Sequence, residues 1–277
     1  MTLELPGPAL LFCPGDRPDR FEKALRAADL VILDLEDGVG AAAKETARAA
    51  VAEALPRLGS RAVVRVNARG TPEHEADVAM LRRVGATALM LPKTSRAADL
   101  DGLDGFDVIA LCETAAGVLN AAEIARHPHC AALFWGGEDL IADLGGRSSR
   151  GSDGRFLPVV QQARSTVLLA GGAHGKPVID AVYIDIRDLD GLRREAEEAA
   201  TSGFAAKALI HPSHCEVVRR AFAPDEEAVA RARAVLEAVE RGGGAVQIGG
   251  RMIDEPLIRQ ARRTLAAARA AGIAEET

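Results

Sequence analysis

Residues 133–140 read Leu-Phe-Trp-Gly-Gly-Glu-Asp-Leu, and they join a short apolar run to two adjacent carboxylates. The apolar run, 131–135, is typical of a strand that is buried on both faces. Two glycines then lead the chain directly into Glu138 and Asp139, at the mouth of a hydrophobic core. Charge at such a position is costly unless it is compensated, and a divalent cation is a common compensation. A plain surface turn after a strand explains this segment equally well, so the choice depends on the rest of the chain.

Segments of strand character alternate with segments of helix character over the first 222 residues. Eight apolar runs are predicted strands: 10–13, 30–35, 62–66, 88–91, 108–112, 131–135, 178–184 and 206–210. Continuous apolar strands indicate burial on both faces, as in a parallel sheet. Eight strand–helix units in roughly 220 residues predict an α/β fold, a (β/α)8 TIM barrel. A doubly wound open sheet is the weaker alternative, because no Gly-x-Gly-x-x-Gly motif follows the first strand.

The segment after the barrel is predicted to be mainly helical. We expect a helix over 224–241, a flexible glycine-rich link over 242–250 and a terminal helix over 256–271. The predicted domains are therefore a catalytic barrel over 1–222 and a C-terminal helical extension over 223–277. The extension is too short to be a domain of ordinary size, and we expect it to act as a lid or as an inter-subunit element.

Composition and charge exclude several functional classes. The chain has 277 residues, a formal net charge of −6 and no long basic stripe, which argues against a nucleic-acid partner. No apolar run is long enough to cross a bilayer, and the first eight residues carry no basic region typical of a secretory signal. The four cysteines lack Cys-x-x-Cys spacing and lie in apolar contexts, so we expect reduced thiols in a cytoplasmic protein.

Polar side chains follow nearly every predicted strand, at the end where this fold places its chemistry. The opposite ends of the strands carry far fewer charges, which indicates one functional face. The polar residues at the predicted strand ends are Asp34, Glu36 and Asp37, Arg65 and Asn67, Lys93, Glu113, Glu138 and Asp139, Asp185, and His211.

Glu113 and Asp139 end consecutive predicted strands. Neighbouring strands lie about 5 Å apart, so these two carboxylates can share one hard cation with oxygen ligands. Mg²⁺ that keeps part of its hydration shell fits two carboxylates plus substrate oxygens. The alternative is that the two side chains cap the helices that follow them.

Arg65 shares its strand parity with Val63 and is therefore predicted to point into the barrel. A buried arginine must be paired, so one interpretation is a structural salt bridge to Asp34 or Glu36. The other interpretation is a guanidinium directed at a developing oxyanion. Glu36 and Asp37 are possible metal ligands, but binding of metal-bound water or support of Arg65 suits them better.

The remaining candidates are basic residues in loops. Lys93 is interpreted as a ligand of a phosphate or as a solvated loop lysine. The loop 145–155 is rich in glycine and carries three arginines, including Arg147, but it has no Gly-Lys-Ser/Thr of a Walker loop. It is predicted to be either a mobile lid that clamps an anionic ligand or a disordered surface loop. For His211, which precedes a proline, we favour a structural role.

Nine short motifs, spread over nearly the whole chain, together resemble one family. They are Leu-Phe-Cys-Pro-Gly-Asp-Arg-Pro (11–18), Ile-Leu-Asp-Leu-Glu-Asp-Gly-Val (32–39), Val-Arg-Val-Asn (64–67), Met-Leu-Pro-Lys (90–93), Cys-Glu-Thr-Ala (112–115), Gly-Gly-Glu-Asp-Leu (136–140), Tyr-Ile-Asp (183–185), Ile-His-Pro (210–212) and Met-Ile-Asp-Glu-Pro (252–256). The chain resembles the β subunit of citrate lyase and its relatives, the malyl-CoA and citramalyl-CoA lyases of the HpcH/HpaI aldolase superfamily. Any one motif is weak, but the set is specific.

The resemblance implies a Mg²⁺-dependent carbon–carbon lyase that acts on a 3-hydroxyacyl thioester of the citryl, malyl or citramalyl type. By the family pattern Glu113 and Asp139 are metal ligands, and Arg65 faces the thioester oxygen. Glu36 and Asp37 support the metal site. The candidate cofactor-binding residues are Lys93, Arg17 and Arg147.

Asp254 lies in the Met-Ile-Asp-Glu-Pro motif and matches an acid/base residue that such lyases lend to an adjacent subunit. The family forms trimers or multiples of them, so a homotrimer or hexamer is expected. The motif favours a CoA thioester as substrate over an acyl carrier protein thioester. A thioesterase or malate-synthase-like activity on the same site, or a citrate lyase β subunit that acts only within a carrier-protein complex, stays open.

Overall fold

Eight parallel strands close into a barrel in chain order, with the eighth strand paired to the first. The computed structural model describes residues 3, 5–242, 246–248 and 251–273. The barrel strands are β1 (Ala9–Pro14), β2 (Leu30–Asp34), β3 (Ala62–Arg65), β4 (Ala88–Leu91), β5 (Asp107–Cys112), β6 (Cys130–Trp135), β7 (Val178–Asp180) and β8 (Ala206–Leu209). The predicted (β/α)8 barrel is confirmed, and the open doubly wound sheet is wrong.

The barrel interior is filled by alternate residues of the strands, as the two-residue period of a strand requires. Its core includes Ile32, Val63, Leu111 and Phe134, all of which are almost fully buried. The same parity continues past the core toward the carboxyl ends of the strands. Arg65 is two residues beyond Val63, and Glu113 is two residues beyond Leu111. The strand period therefore carries these two charged side chains to the mouth of the barrel.

Helices surround the barrel in the order that the alternating pattern predicts. They are α1 (Phe21–Ala27), α2 (Lys44–Leu58), α3 (Pro72–Arg83), α4 (Ala115–Leu119), α5 (Ala121–Arg126), α6 (Gly137–Asp143), α7 (Pro158–Ala173), α8 (Leu189–Ser202) and α9 (His214–Phe222). After β4 a short 3₁₀ helix, Ala97–Leu100, takes the place of a longer helix. Asn120 separates α4 from α5, and its side-chain amide donates a hydrogen bond to the Ser95 carbonyl at 2.8 Å.

The prediction for the seventh strand is wrong at its carboxyl end. β7 ends at Asp180 because its pairing with β8 stops at Asp180 and Lys207. The apolar residues that follow belong to a loop, in which Ile184 is half exposed. Asp185 therefore does not end a strand. Its carboxylate accepts hydrogen bonds from the amides of Arg187 and Asp188 at 3.0 and 3.3 Å, in the turn before α8.

The chain divides into two compact units, Met1–Val218 and Arg219–Thr277. The second unit contains α10 (Glu226–Gly242), the antiparallel strands β9 (Val246–Ile248) and β10 (Arg251–Ile253), and α11 (Glu255–Ala270). The predicted link over 242–250 is thus partly a strand, while 243–245 and 249–250 lie outside the described residues. The sequence does hold a hairpin signal there, because two glycines separate two short apolar runs.

Two further expectations from the sequence concern membrane-spanning segments and the state of the cysteines. In the part of the chain that the structure describes, no helix has both the length and the apolarity needed to span a bilayer. All four cysteines are buried, and none of them forms a disulfide in the part of the chain that the structure describes. Burial raises the pKa of the Cys13 and Cys130 thiols to about 11, so these thiols are protonated at neutral pH.

Candidate active site

A small pocket of about 80 Å³ lies at the carboxyl end of the barrel. Its lining brings together three of the predicted site residues, Arg65, Glu113 and Asp139. A larger cavity of about 750 Å³ opens among residues at or near the amino ends of strands, such as Leu30, Ala62 and Ala88. That end of a barrel is the stability face, and the cavity lacks clustered carboxylates, so we assign the chemistry to the smaller pocket.

Glu113 is the most enclosed acid of the pocket, with 2% of its surface exposed. It follows β5 directly, and the backbone N–H of Lys93 donates a hydrogen bond to its Oε1 at 3.0 Å. Gly136 passes so close that a Cβ there would lie 3.0 Å from Glu113 Oε2, which explains why the chain has glycine at this point. Burial, and then the negative charges of Asp139 and Glu36, raise the pKa of Glu113 to about 8.

Asp139 lies in the first turn of α6, not at a strand end, and is partly exposed. Neither of the paired acids caps a helix. The N-cap of α4 is Thr114, whose side chain accepts a hydrogen bond from the Gly117 amide, and the N-cap of α6 is Gly136. Helix capping therefore does not account for Glu113 and Asp139.

Arg65 forms a salt bridge with Asp34 and also lines the pocket. Its Nε and Nη2 each donate a hydrogen bond of 2.7 Å to the Asp34 carboxylate, and its Nη1 lies 3.1 Å from Glu36 Oε2. The guanidinium also sits 4.8 Å from the centre of the Phe12 ring. Although burial opposes the charge, Asp34, Glu36 and Glu113 hold the pKa of Arg65 above its usual range. The two interpretations from the sequence are therefore compatible, because a fixed guanidinium is well placed to act on the pocket.

Asp34 is a buried partner of Arg65, as one interpretation of the sequence suggested. Its buried carboxylate also accepts hydrogen bonds from the backbone N–H groups of Glu36 and Gly38, each at 2.8 Å. These bonds turn the chain after β2, so that Glu36 reaches Arg65. Asp34 thus positions both the Arg65 guanidinium and the Glu36 carboxylate that pairs with it.

Lys93 contacts the acids of the loop after β2. Its ammonium group pairs with Glu36 Oε1 and lies 3.4 Å from Asp37 Oδ2, and its side chain is 38% exposed. Burial lowers the pKa of Lys93, but Glu36 and Asp37 outweigh it and raise that pKa above its usual range. Asp37 itself is mostly solvent-exposed. A role of Lys93 in phosphate binding remains a prediction, because its described contacts are to carboxylates.

Besides Glu36, Asp37 and Lys93, three more predicted site residues are not in the pocket lining. Arg17 is exposed and pairs with Asp19 at 2.9 Å, and Arg147 is exposed in the loop after α6. Asp254 belongs to the second unit, where its exposed carboxylate caps α11 by accepting a hydrogen bond from the Leu257 amide at 3.3 Å. Their roles in cofactor binding and in proton transfer remain predictions.

The charges around the pocket do not balance among the described side chains. Six carboxylates, Asp34, Glu36, Asp37, Glu113, Glu138 and Asp139, lie in or beside the pocket, together with two cations, Arg65 and Lys93. Glu36 Oε2 is also buried and, despite its nearness to Arg65, has no aligned hydrogen-bond donor among the described residues. An excess of carboxylates favours a bound cation, and carboxylate oxygens are the ligands that Mg²⁺ prefers.

The described residues contain no group of three or more His, Cys, Asp or Glu side chains placed to hold a metal. Glu113 and Asp139 therefore supply at most a pair of protein ligands. Mg²⁺ usually keeps several waters and is bound through one or two carboxylates plus substrate oxygens. The residues present thus fit Mg²⁺ better than a metal that requires a cage of protein ligands.

Comparison with known proteins finds two family models that match the chain. The family model described as HpcH/HpaI aldolase/citrate lyase matches residues 9–212, and the model described as C-C bond lyase of the TIM-barrel fold matches residues 155–273. The chain belongs to the HpcH/HpaI aldolase/citrate lyase family, which confirms the resemblance seen in its motifs.

Its relatives carry two kinds of name. The citrate lyase subunit beta-like protein of Mycobacterium tuberculosis is 48% identical over 96% of this chain and 97% of the relative. A (3S)-malyl-CoA thioesterase of Cereibacter sphaeroides is 38% identical, over 95% of this chain and 94% of the relative. The overall sequence therefore agrees with both a lyase and a thioesterase.

Two solved structures from M. tuberculosis are similar to this chain. One is the protein CitE in complex with magnesium, acetoacetate and coenzyme A, with a TM-score of 0.89, 48% identity and coverage of 95% of this chain and 98% of that chain. The other is a citrate lyase beta subunit complexed with oxaloacetate and magnesium, with a TM-score of 0.76, 50% identity and coverage of 79% and 97%. Both complexes contain magnesium and a keto acid.

Proposed function

We propose that this protein is a Mg²⁺-dependent lyase that cleaves, or forms, a 3-hydroxyacyl-CoA thioester. The products of cleavage are a 2-keto acid and acetyl-CoA or a related acyl-CoA. The observation that carries the proposal is that Glu113, Asp139 and Arg65 line one pocket, and that carboxylates outnumber cations in and beside it. The magnesium, keto acid and coenzyme A bound by similar proteins support it.

Glu113 and Asp139 are the residues that would hold Mg²⁺. When bound, Mg²⁺ supplies Lewis-acid polarisation and a template for the carboxylate and hydroxyl oxygens of the keto-acid half. Arg65 stabilises the negative charge that develops on the thioester oxygen as the C2–C3 bond breaks. Its bidentate pairing with Asp34 holds the guanidinium in place before the reaction, so little reorganisation is needed.

Two proton transfers complete the balance of the reaction. The hydroxyl on C3 loses its proton as the bonding electrons pass to C2, and the resulting enolate gains a proton at C2 to give the acyl-CoA. Asp254 is the proposed acid for the second transfer. By analogy with the family motif, it serves the site of an adjacent subunit in a trimer or hexamer. Four buried cysteines that form no disulfide among the described residues are consistent with a cytoplasmic enzyme.

The test is a product assay on the purified chain. Malyl-, citramalyl-, citryl- and hydroxymethylglutaryl-CoA are each incubated with Mg²⁺, and the keto acid, acetyl-CoA and free CoA are quantified. A lyase releases a keto acid and acetyl-CoA in equal amounts, and a chelator stops it. Turnover that persists in the chelator would contradict the proposal.

A thioesterase is the second candidate, because relatives of 38% identity carry the name (3S)-malyl-CoA thioesterase. In that case water attacks the thioester carbonyl, and the assay yields free CoA and the hydroxy acid without a keto acid. An inert chain would instead favour a subunit that acts on a carrier-protein thioester.

A further inference from the structure

A hairpin over residues 149–157 joins the loop after α6 to the start of α7. Arg150 and Phe156 form an isolated antiparallel bridge, and the Leu157 amide donates a hydrogen bond of 2.8 Å to the Ser149 carbonyl. The amide of Gly151 donates to the Arg155 carbonyl at 2.9 Å. The expectation of a disordered surface loop is therefore wrong, because backbone hydrogen bonds close the segment on itself.

Arg150 binds the protein itself in this structure. Its Nη2 donates a hydrogen bond of 2.8 Å to Glu195 Oε2, and its Nη1 donates one of 2.9 Å to the Gly154 carbonyl. The guanidinium lies 3.8 Å from the centre of the Phe156 ring and 5.1 Å from that of Tyr183. With 15% of its side chain exposed, it is poorly placed to clamp a ligand.

Glu195 connects Arg150 to an ion chain inside the barrel wall. The chain alternates in sign through six residues: Arg150, Glu195, Lys207, Asp180, Arg164 and Glu198. Asp180 and Lys207 are fully buried and lie 2.7 Å apart. Burial alone would raise the pKa of Asp180, but Lys207 and Arg164 hold it below its usual range. Because each of these buried charges has several partners, the ion chain holds the hairpin in a fixed position.

The hairpin reaches the active-site pocket through two side chains. Phe156 lines the pocket and packs edge-on against Trp135, with ring centres 5.4 Å apart. The Ser149 hydroxyl donates a hydrogen bond of 2.5 Å to Glu138, the residue before Asp139. Trp135 is itself held by Asp180, which accepts a hydrogen bond from its indole N–H at 2.9 Å. Asp180 therefore holds Trp135, and Arg150 contacts Phe156, so both rings of this aromatic pair depend on residues of the ion chain.

We propose that Phe156 is the wall that limits the size of the keto-acid group, and that Arg150 is the positioning residue that holds this wall. The proposal rests on the proposed function, because it places the keto-acid half beside Asp139. Malyl- and citramalyl-CoA differ at C3 by one methyl group. In a pocket of about 80 Å³ with an aromatic wall, that methyl group decides whether the substrate fits.

The test measures kcat and KM for both thioesters with wild type and the variants Phe156→Ala, Arg150→Ala and Arg150→Lys. Wild type should prefer malyl-CoA. Phe156→Ala and Arg150→Ala should each lower the ratio of kcat/KM for malyl-CoA to kcat/KM for citramalyl-CoA by about tenfold. Arg150→Lys should restore part of the ratio, because it can still pair with Glu195. Arg155→Ala, an exposed arginine of the same hairpin, is the matched control and should leave the ratio unchanged.

A ratio that stays constant in Phe156→Ala and Arg150→Ala would overturn the proposal, as would an equal loss on both substrates. If Arg150→Ala does not fold, Glu195→Gln tests the same anchor, and an unchanged ratio there counts against it. The proposed function fails if wild type cleaves none of the four thioesters of the product assay, and the wall has to be tested separately if wild type cleaves neither malyl- nor citramalyl-CoA. The wall is then tested by calorimetric titration of glyoxylate and pyruvate with Mg²⁺. The same variants should bind pyruvate more tightly relative to glyoxylate, and an unchanged relative affinity overturns the proposal.

Discussion

The backbone N–H of Lys93 donates a hydrogen bond to Glu113 Oε1 while Lys93 itself has a left-handed backbone with φ of 52°. Among the described residues it is the only residue other than glycine with positive φ. Such a conformation persists only where the surroundings fix it, and it occurs often at functional sites. Here it directs an amide at the acid that is proposed to bind Mg²⁺.

Substitution of Lys93 separates this backbone strain from the lysine charge. Lys93→Ala and Lys93→Gly both remove the ammonium group, but only glycine adopts positive φ without a steric penalty. We expect Lys93→Gly to be more stable than Lys93→Ala by about 1 kcal/mol. Urea denaturation measures the difference, and a more stable alanine variant would contradict the strain.

Removal of either acid of the proposed metal pair should abolish the response to Mg²⁺. Glu113→Ala and Asp139→Ala are each expected to lose activity by ~100-fold or more, since even outer-shell changes at metal sites cost 10–100-fold. Isothermal titration with Mg²⁺ checks binding directly. Glu123→Ala, on the exposed side of α5, is the control and should retain wild-type titration. Full activity of Glu113→Ala in a chelator would refute the assignment.

The raised pKa of Glu113 predicts a pH dependence of stability in the metal-free protein. Its pKa is about 8 in the folded chain and 4.5 as an isolated group, so the folded state binds the proton more tightly. The free energy of unfolding should therefore fall as pH rises from about 5 to about 8. Chemical denaturation in a chelator measures this slope. Glu113→Gln should flatten it, and an unchanged slope in that variant would assign the effect to other groups.

The proposed action of Asp254 across subunits predicts recovery of activity in mixed oligomers. Asp254→Ala and Arg65→Ala should each be nearly inactive, the latter by ~100- to 1,000-fold. Chains mixed in equal amounts under refolding conditions should regain roughly a quarter of wild-type activity, because that share of sites receives both intact residues.

The control for this experiment is a mixture of Arg65→Ala with Glu113→Ala. Both changes lie in the first unit, so no pairing of these chains restores a site. No recovery in the Asp254 mixture would mean that Asp254 acts within its own chain or not at all.

The sequence predicted best what depends on local periodicity. Apolar runs located all eight barrel strands, and the parity of Val63 led to Arg65 at the pocket. Glu113 followed from its place directly after an apolar run. These predictions succeeded because burial on both faces of a parallel strand leaves a continuous apolar signal.

Contacts between distant segments lie beyond such patterns. Arg150 binds Glu195, which is 45 residues away, so the glycine-rich composition of the loop suggested disorder where the structure has a hairpin. The left-handed backbone of Lys93 had no sequence signal either, since lysine is not a residue that favours positive φ. The end of β7 was missed because Val182 and Ile184 are apolar yet lie beyond the paired strand.

The fully buried pair of Asp180 and Lys207 also bears on how the protein responds to ionic strength. Mobile ions screen exposed charges within about 10 Å at 0.1 M salt but have little effect on charges that water cannot reach. The hairpin should therefore remain docked in concentrated salt. The proposed attraction of the exposed cations Arg17 and Arg147 for an anionic thioester would be largely lost under the same conditions. Rising salt should thus increase KM for the thioester while the preference between acyl groups persists.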